Sequence, residues 1–295
     1  MKRLLVTGAS GALGWNVCAA ARLSWLVSGI VHRHPIELPG VSRLICDLTR
    51  PADLERAFQD LAPDGVVHCA AAAQPDLCQA HPDATRQMNV DVAAGLAGLC
   101  AHAAIPYAFV STDLVFDGTK PPYREENPVA PLSVYGEQKV AAERAVRARH
   151  PGAIVCRLSP LFGDPGPAST GFIQPWIAAL RNGREVTLFV DEFRTPVGAR
   201  AAAAGLLMAL GAGGGILHLG GRERISRYDL GIVLAEMLGA DASLIRPARQ
   251  RDRTLGAPRP PDVSLDSSRA HALGYDPLPL REELGVLLRS LGLRV

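Results

Sequence analysis

Arg3-Leu4-Leu5-Val6-Thr7-Gly8-Ala9-Ser10-Gly11-Ala12-Leu13-Gly14 reads as an apolar strand, a glycine turn and the first turn of a helix. The glycines are spaced Gly-x-x-Gly-x-x-Gly. Gly8 supplies a tight turn, Gly11 lets the backbone approach a pyrophosphate, and Gly14 allows a helix to pack closely on a strand. Ser10, Ala12 and Leu13 complete the loop, where the helix start offers unpaired N–H donors and the positive end of its dipole. Glycines open many helices, so position carries the weight: the loop begins at residue 8, ahead of a β-α-β rhythm.

That rhythm runs through the first half of the chain. Strands are predicted at Arg3–Thr7, Trp25–Val31, Arg43–Cys46, Gly65–Cys69, Tyr107–Ser111 and Ala153–Leu158. Helices are predicted at Ala12–Leu23, Ala52–Leu61, Pro82–Ala103 and Val134–Arg149. The alternation implies an α/β fold, a Rossmann-type doubly wound parallel sheet with helices on both faces. After Leu158 the pattern loosens at the breaker cluster Asp164-Pro165-Gly166-Pro167, followed by a helix near Phe172–Arg181. A strand at Glu185–Val190, a helix over Arg200–Leu210 and a strand at Ile216–Leu219 are expected to return to the main sheet. A further helix, Arg227–Leu238, carries Ser226 and Asp229 at capping-box spacing. Residues 1–160 with about 186–220 are thus expected to form the dinucleotide-binding domain. The remainder, about 161–185 with 221–295, is expected to form a smaller C-terminal substrate-binding region.

Composition narrows the function classes. With 295 residues, 48% apolar and 20% charged, the chain can bury a large core, and a net charge of +2 argues against a nucleic-acid surface. The six cysteines (Cys18, Cys46, Cys69, Cys78, Cys100 and Cys156) form no CxxC pair, and the eight histidines form no HExxH. Free thiols in a cytoplasmic protein are expected, with no metal site. The run Leu4–Val6 is too short for a signal-peptide core, and the uncharged stretch Ala201–Leu217 is too Ala/Gly-rich for a membrane span. Of 31 basic residues only Lys2, Lys120 and Lys139 are lysines. Codon bias accounts for the shortage, yet it leaves three candidates for any task that needs an amine.

One of those three sits in Tyr135-Gly136-Glu137-Gln138-Lys139, where a phenol and an ammonium at i and i+4 share a helix face. A cation ~4 Å away at an effective dielectric of ~20 contributes about 4 kcal/mol, enough to lower a phenol's pKa by roughly three units. Tyr-x-x-x-Lys alone is a common accident. The fifth predicted strand adds Thr112 at its carboxyl end, where a hydroxyl faces the ligand crevice of a parallel sheet. Thr112 is then placed to donate to a substrate carbonyl while Tyr135 delivers a proton; its alternative is a backbone cap at the strand end. The second predicted strand ends Val31-His32-Arg33-His34, with no acid before Glu37. Arg33 suits a 2′-phosphate and favours NADP(H), with NAD(H) the alternative. Asp47-Leu48, after the third strand, is the expected place for adenine contacts. The stretch Arg246–Arg259 carries five arginines against one aspartate, a solvated loop or a fork for substrate phosphate oxygens.

Together Thr7–Gly14, Val67-His68-Cys69-Ala70-Ala71, Ser111-Thr112-Asp113-Leu114-Val115-Phe116-Asp117-Gly118 and Tyr135-x-x-x-Lys139 resemble the extended short-chain dehydrogenase/reductases. Ser111–Gly118, Arg157–Gly163 and Asp191-Glu192-Phe193-Arg194-Thr195-Pro196 are similar to its dTDP-4-dehydrorhamnose reductase branch, across nearly the whole chain. The resemblance implies a Thr112, Tyr135, Lys139 triad, with Lys139 also on the nicotinamide ribose and Ala70, Ala71 and Ala72 lining the cofactor. It further implies substrate contacts at Thr112, Asp113 and Arg194, a nucleotide-sugar substrate and a homodimer. Related dehydratases carry Thr-Asp-Glu where this chain has Thr112-Asp113-Leu114, which argues against dehydration. Epimerisation stays open, as does a regulatory role: Asp117–Glu126 and Tyr135–Lys139 also resemble the β-subunit of methionine adenosyltransferase, which binds a dinucleotide but acts on a partner enzyme.

Overall fold

A computed structural model describes residues 1–293. Its central sheet is built from β1 (Arg3–Thr7), β2 (Leu26–Val31), β3 (Val41–Ile45), β4 (Gly65–His68), β5 (Tyr107–Thr112) and β6 (Ile154–Leu158), completed by the strand Gly215–Leu219. All pairings are parallel, in the order Gly215–Leu219, β6, β5, β4, β1, β2, β3. The order reverses between β1 and β4, the crevice position where doubly wound sheets bind ligands.

Alternation along each strand feeds two cores. Leu4 and Val6 face one core with helix α1 (Ala12–Ala21) and the helix Ala199–Leu210; Leu5 faces the other. That second core is closed by α2 (Pro51–Leu61) and, further along the chain, by α5 (Val92–His102) and α6 (Val134–Arg149). Between α2 and α5 lie two short helices, α3 (Pro75–Ala80) and α4 (Pro82–Arg86). With both faces covered, β1, β4 and β6 are buried at nearly every position, as a parallel sheet requires.

Three expectations change. Pro82–Ala103 is a helical run interrupted by a π turn at Gln87–Asp91, which swings Asn89 inward. β3 starts at Val41, because this edge strand is half-exposed and shows no apolar run. The strand expected to return to the sheet at Glu185–Val190 does not: Val186–Phe189 pairs in parallel with Ile245–Ala248 inside the arginine stretch. There it covers a third core containing Phe162, Ile173, Leu188, Leu230, Leu234 and Leu284. Ala199–Leu210 and Gly215–Leu219 do join the main sheet. No helix among the described residues is long and apolar enough to cross a membrane.

Candidate active site

The glycine loop is shaped by close approach. Gly8 has φ +66, and a Cβ there would lie 2.7 Å from Ala70 N; a Cβ on Gly14 would overlap the Gly8 carbonyl. The Thr7 hydroxyl accepts from Ala70 N–H at 3.2 Å and lies 2.6 Å from His68 Nδ1, tying β1 to the segment after β4. Gly11 stands at the N-cap of α1 and supplies no side-chain cap, so the helix's first N–H groups stay available to an anion. These features fit a dinucleotide pyrophosphate. Ala70, Ala71 and Ala72 are half-buried beside the loop. Arg33 stands exposed just past β2. Asp47 differs: its carboxylate accepts from Thr49 N at 3.1 Å and Thr49 Oγ1 at 2.6 Å, which holds it below the usual carboxylate range. Leu48 is buried behind it. A groove of about 440 Å³ runs between Trp15, Pro35, Glu37, Arg43 and the Asp164–Pro167 turn, bridged by Trp15 Nε1 donating to Asp164 at 3.0 Å.

Thr112, Tyr135 and Lys139 converge at the carboxyl end of β5. Ser133 caps α6 by accepting from Gly136 N at 3.3 Å. Gly136 then lets the helix sit on the turn after β5, since a Cβ there would overlap the Leu114 carbonyl. That approach buries Tyr135 beside Thr112 and Lys139 against β5. Lys139 Nζ donates to the Val110 carbonyl at 2.8 Å and lies 4.7 Å from the Phe109 ring centre and 5.9 Å from that of Tyr135. Thr112 takes the backbone-cap alternative: its hydroxyl accepts from Leu114 N at 3.2 Å and donates to Asp113 Oδ1 at 3.2 Å.

The electrostatics reverse one expectation. Tyr135 is pushed above its ordinary pKa, by burial first and the Asp113 charge second, with the Thr112 hydroxyl opposing. Burial pushes Lys139 down to about 8, opposed by Glu143. The ammonium spends a proton on Val110 and is itself desolvated, so its pull on the phenol is outweighed. A phenol held protonated is a loaded proton donor.

Asp113 is 3% exposed, and burial raises it to about 6 against the pull of Arg194. Arg194 Nε lies 3.8 Å from Asp113 Oδ2. The arginines of Arg246–Arg259 take separate partners. Arg246 pairs with Glu185, Arg251 lies 3.7 Å from Asp252, and Arg259 reaches inward to Asp76 and Glu192. All six cysteines are free. Among the described residues no group of three His, Cys, Asp or Glu side chains is placed to hold a metal ion.

A model of the RmlD substrate binding domain family matches residues 1–292. The chain belongs to that family. It is 34% identical over 291 residues to the "Probable low-salt glycan biosynthesis reductase Agl14" of Haloferax volcanii, covering 96% of each chain. It is 30% identical over 281 residues to methionine adenosyltransferase 2 subunit beta of Bos taurus, covering 92% of this chain and 83% of that one. A solved "hypothetical dTDP-4-dehydrorhamnose reductase" from Sulfolobus tokodaii superposes with a TM-score of 0.80 at 30% identity, covering 92% and 94%. The likeness to the extended short-chain dehydrogenase/reductases read from the motifs is thus established.

Within this RmlD-family chain, several site residues escaped the sequence reading. Asn89, on the π turn, accepts from Ala72 N at 2.8 Å and donates to Ala72 O at 3.1 Å and Gln138 Oε1 at 2.7 Å. It therefore pins the segment Ala70–Ala72 to α6 between Tyr135 and Lys139. An asparagine inside a long apolar helix pattern was the available signal. Glu192, quoted only within a motif, proves 2% exposed and surrounded by arginines.

Proposed function

We propose that this protein is an NADPH-dependent reductase of a 4-keto sugar nucleotide. The observation that carries the reading is the convergence of Thr112, Tyr135 and Lys139 beside an uncapped glycine-loop helix. The chemistry a bound nicotinamide supplies is hydride donation to the keto carbon. Tyr135 gives its proton to the carbonyl oxygen, so ketone, hydride and proton become an alcohol. Thr112 donates a hydrogen bond to the same oxygen, and Lys139 offsets the charge left on Tyr135. Asp113 and Arg194 are assigned to the sugar, with the region built on the third core assigned to the rest of the substrate. Arg33 and the absence of an acid before Glu37 favour NADP(H) over NAD(H).

The purified protein should consume NADPH when given a keto-sugar nucleotide, and Tyr135→Phe should lose that activity by about 10²–10⁴-fold while still binding NADPH. An unchanged rate in the variant would remove Tyr135 as donor. The 30% identity to methionine adenosyltransferase 2 subunit beta supports one other reading, a cofactor-binding regulatory subunit. Tight NADPH binding without turnover, together with a co-purifying adenosyltransferase, would favour it.

A further inference from the structure

We infer that Glu192 is a positioning residue that holds Arg194 off Asp113, leaving the Asp113 carboxylate free to accept a hydroxyl of the substrate. This rests on the reductase reading for the identity of the substrate, and on geometry for the rest. A buried guanidinium and carboxylate normally close to about 2.7–2.9 Å. Arg194 and Asp113, each 4% exposed in their side chains, stop at 3.8 Å. Asp113 Oδ2 has no hydrogen-bond partner although it is buried.

What restrains Arg194 is visible on its other side. Its Nη atoms donate to the carbonyls of Phe193 at 2.6 Å, Pro260 at 3.0 Å and Pro261 at 3.5 Å. Glu192 Oε1 lies 3.6 Å from Arg194 Nη2, so the guanidinium is shared between two carboxylates. Glu192 is itself fixed. It accepts from Arg227 Nε at 3.0 Å, and its backbone carbonyl accepts from Arg227 N at 3.0 Å. Gln250 Nε2 and Arg259 Nη1 approach its other oxygen at 3.5 and 4.0 Å. The charged and titratable groups facing Asp113 are therefore Arg194 and Glu192 from one segment, Arg227 from the helix Arg227–Leu238, and Tyr135 from α6.

The sign of each perturbation follows. Neutralising Glu192 removes a repelling charge and the electrostatic share of the hold on Arg194, with the carbonyl bonds still in place, and both effects favour ionised Asp113. Neutralising Arg227 removes an attracting charge and leaves Glu192 to draw Arg194 away, and both effects disfavour it.

The test is a ¹³C-carboxyl titration of the full-length protein, with the Asp113 signal identified by its loss in Asp113→Asn. Glu192→Gln should move the Asp113 midpoint down by about one pH unit, and Arg227→Gln should move it up. In the keto-sugar nucleotide assay, Glu192→Gln should raise KM about tenfold with kcat nearly unchanged, and should add nothing to Asp113→Asn. An Asp113 midpoint that stays or rises in Glu192→Gln, or falls in Arg227→Gln, overturns the inference. A fall confined to kcat does the same. If Glu192→Gln fails to fold, the Arg227→Gln titration decides. If the wild type turns over no keto-sugar nucleotide, the reductase reading fails while the titrations still decide this one.

Discussion

The sheet and the C-terminal region solve the same problem with different forces. In the sheet, aliphatic side chains cover both faces of continuous parallel strands, and a buried ion pair beneath them is closed at hydrogen-bond distance. Ser111 donates to Glu143 at 2.6 Å, and Glu143 takes Arg157 bidentately at 3.0 and 2.8 Å. In the C-terminal region the strands Phe193–Arg194 and Ile225–Ser226 are two residues long. Arginines at 194, 227 and 259 gather there around the single carboxylate of Glu192. The side chains proposed as catalytic are set by packing, through Gly136 on Leu114. The groups assigned to substrate are set by charge. A site at such a seam keeps its chemistry rigid while its recognition responds to pH and to the loss of single charges.

The contrast breaks most visibly at Glu143. Its replacement by Gln strands Arg157, whose side chain is 3% exposed, without its counter-charge. Denaturant unfolding should show a loss of about 3–5 kcal/mol. Arg246→Ala removes an ion pair with Glu185 that is more than half exposed on both sides, and its melting temperature should match wild type. Comparable losses in the two variants would mean that burial is not what gives an ion pair its weight in this fold.

Gly136→Ala tests packing at the site. The added methyl meets the Leu114 carbonyl, so α6 must lift from the turn after β5. Stability should fall by about 1–3 kcal/mol, and kcat by about 10²-fold from misplacement of the phenol. Full activity would show that the close approach is not what positions Tyr135.

Charge should appear in the pH profile of kcat/KM. Below about 6 Asp113 takes up a proton and ceases to be a carboxylate acceptor; above about 8 Lys139 loses the charge that offsets the Tyr135 phenolate. Tyr135 keeps its proton throughout, because burial raises it. Activity should peak between those limits and fall about tenfold per unit beyond each. A profile flat from 5 to 9, in roughly equal steps of buffer pH, would contradict both assignments.

The smallest effect lies at the surface. Arg33→Ala should weaken NADPH binding about tenfold, as loss of one charge-assisted contact does, and leave NADH unchanged. Equal losses for both cofactors would remove the 2′-phosphate assignment.

The same division explains what could be read from sequence. β1 and α6 emerge with the limits read for them, Arg3–Thr7 and Val134–Arg149, because apolar runs, glycines and helical patterns are local signals. The Tyr135–Lys139 spacing and Thr112 at the end of β5 are local too. The pairing of Val186–Phe189 with Ile245–Ala248 joins segments some sixty residues apart, and both strands are partly exposed, so no alternation marks them. The role of Asn89 depends on a π turn that a helical pattern does not display. Glu192 becomes informative only when folding brings Arg227 and Arg259 to it beside its neighbour Arg194. The sign of the Tyr135 shift was missed because spacing along a helix says nothing about how much water is lost.

The central claim is that the phenol and amine at the end of β5 serve carbonyl reduction, and one measurement addresses it directly. Purified protein is mixed with NADPH and a 4-keto sugar nucleotide, NADPH absorbance is followed, and the sugar product is weighed. The account predicts one NADPH consumed per sugar and a product heavier by two hydrogens. Saturable NADPH binding with neither consumption nor a mass change, across 4-keto sugars of different nucleotides, would contradict it.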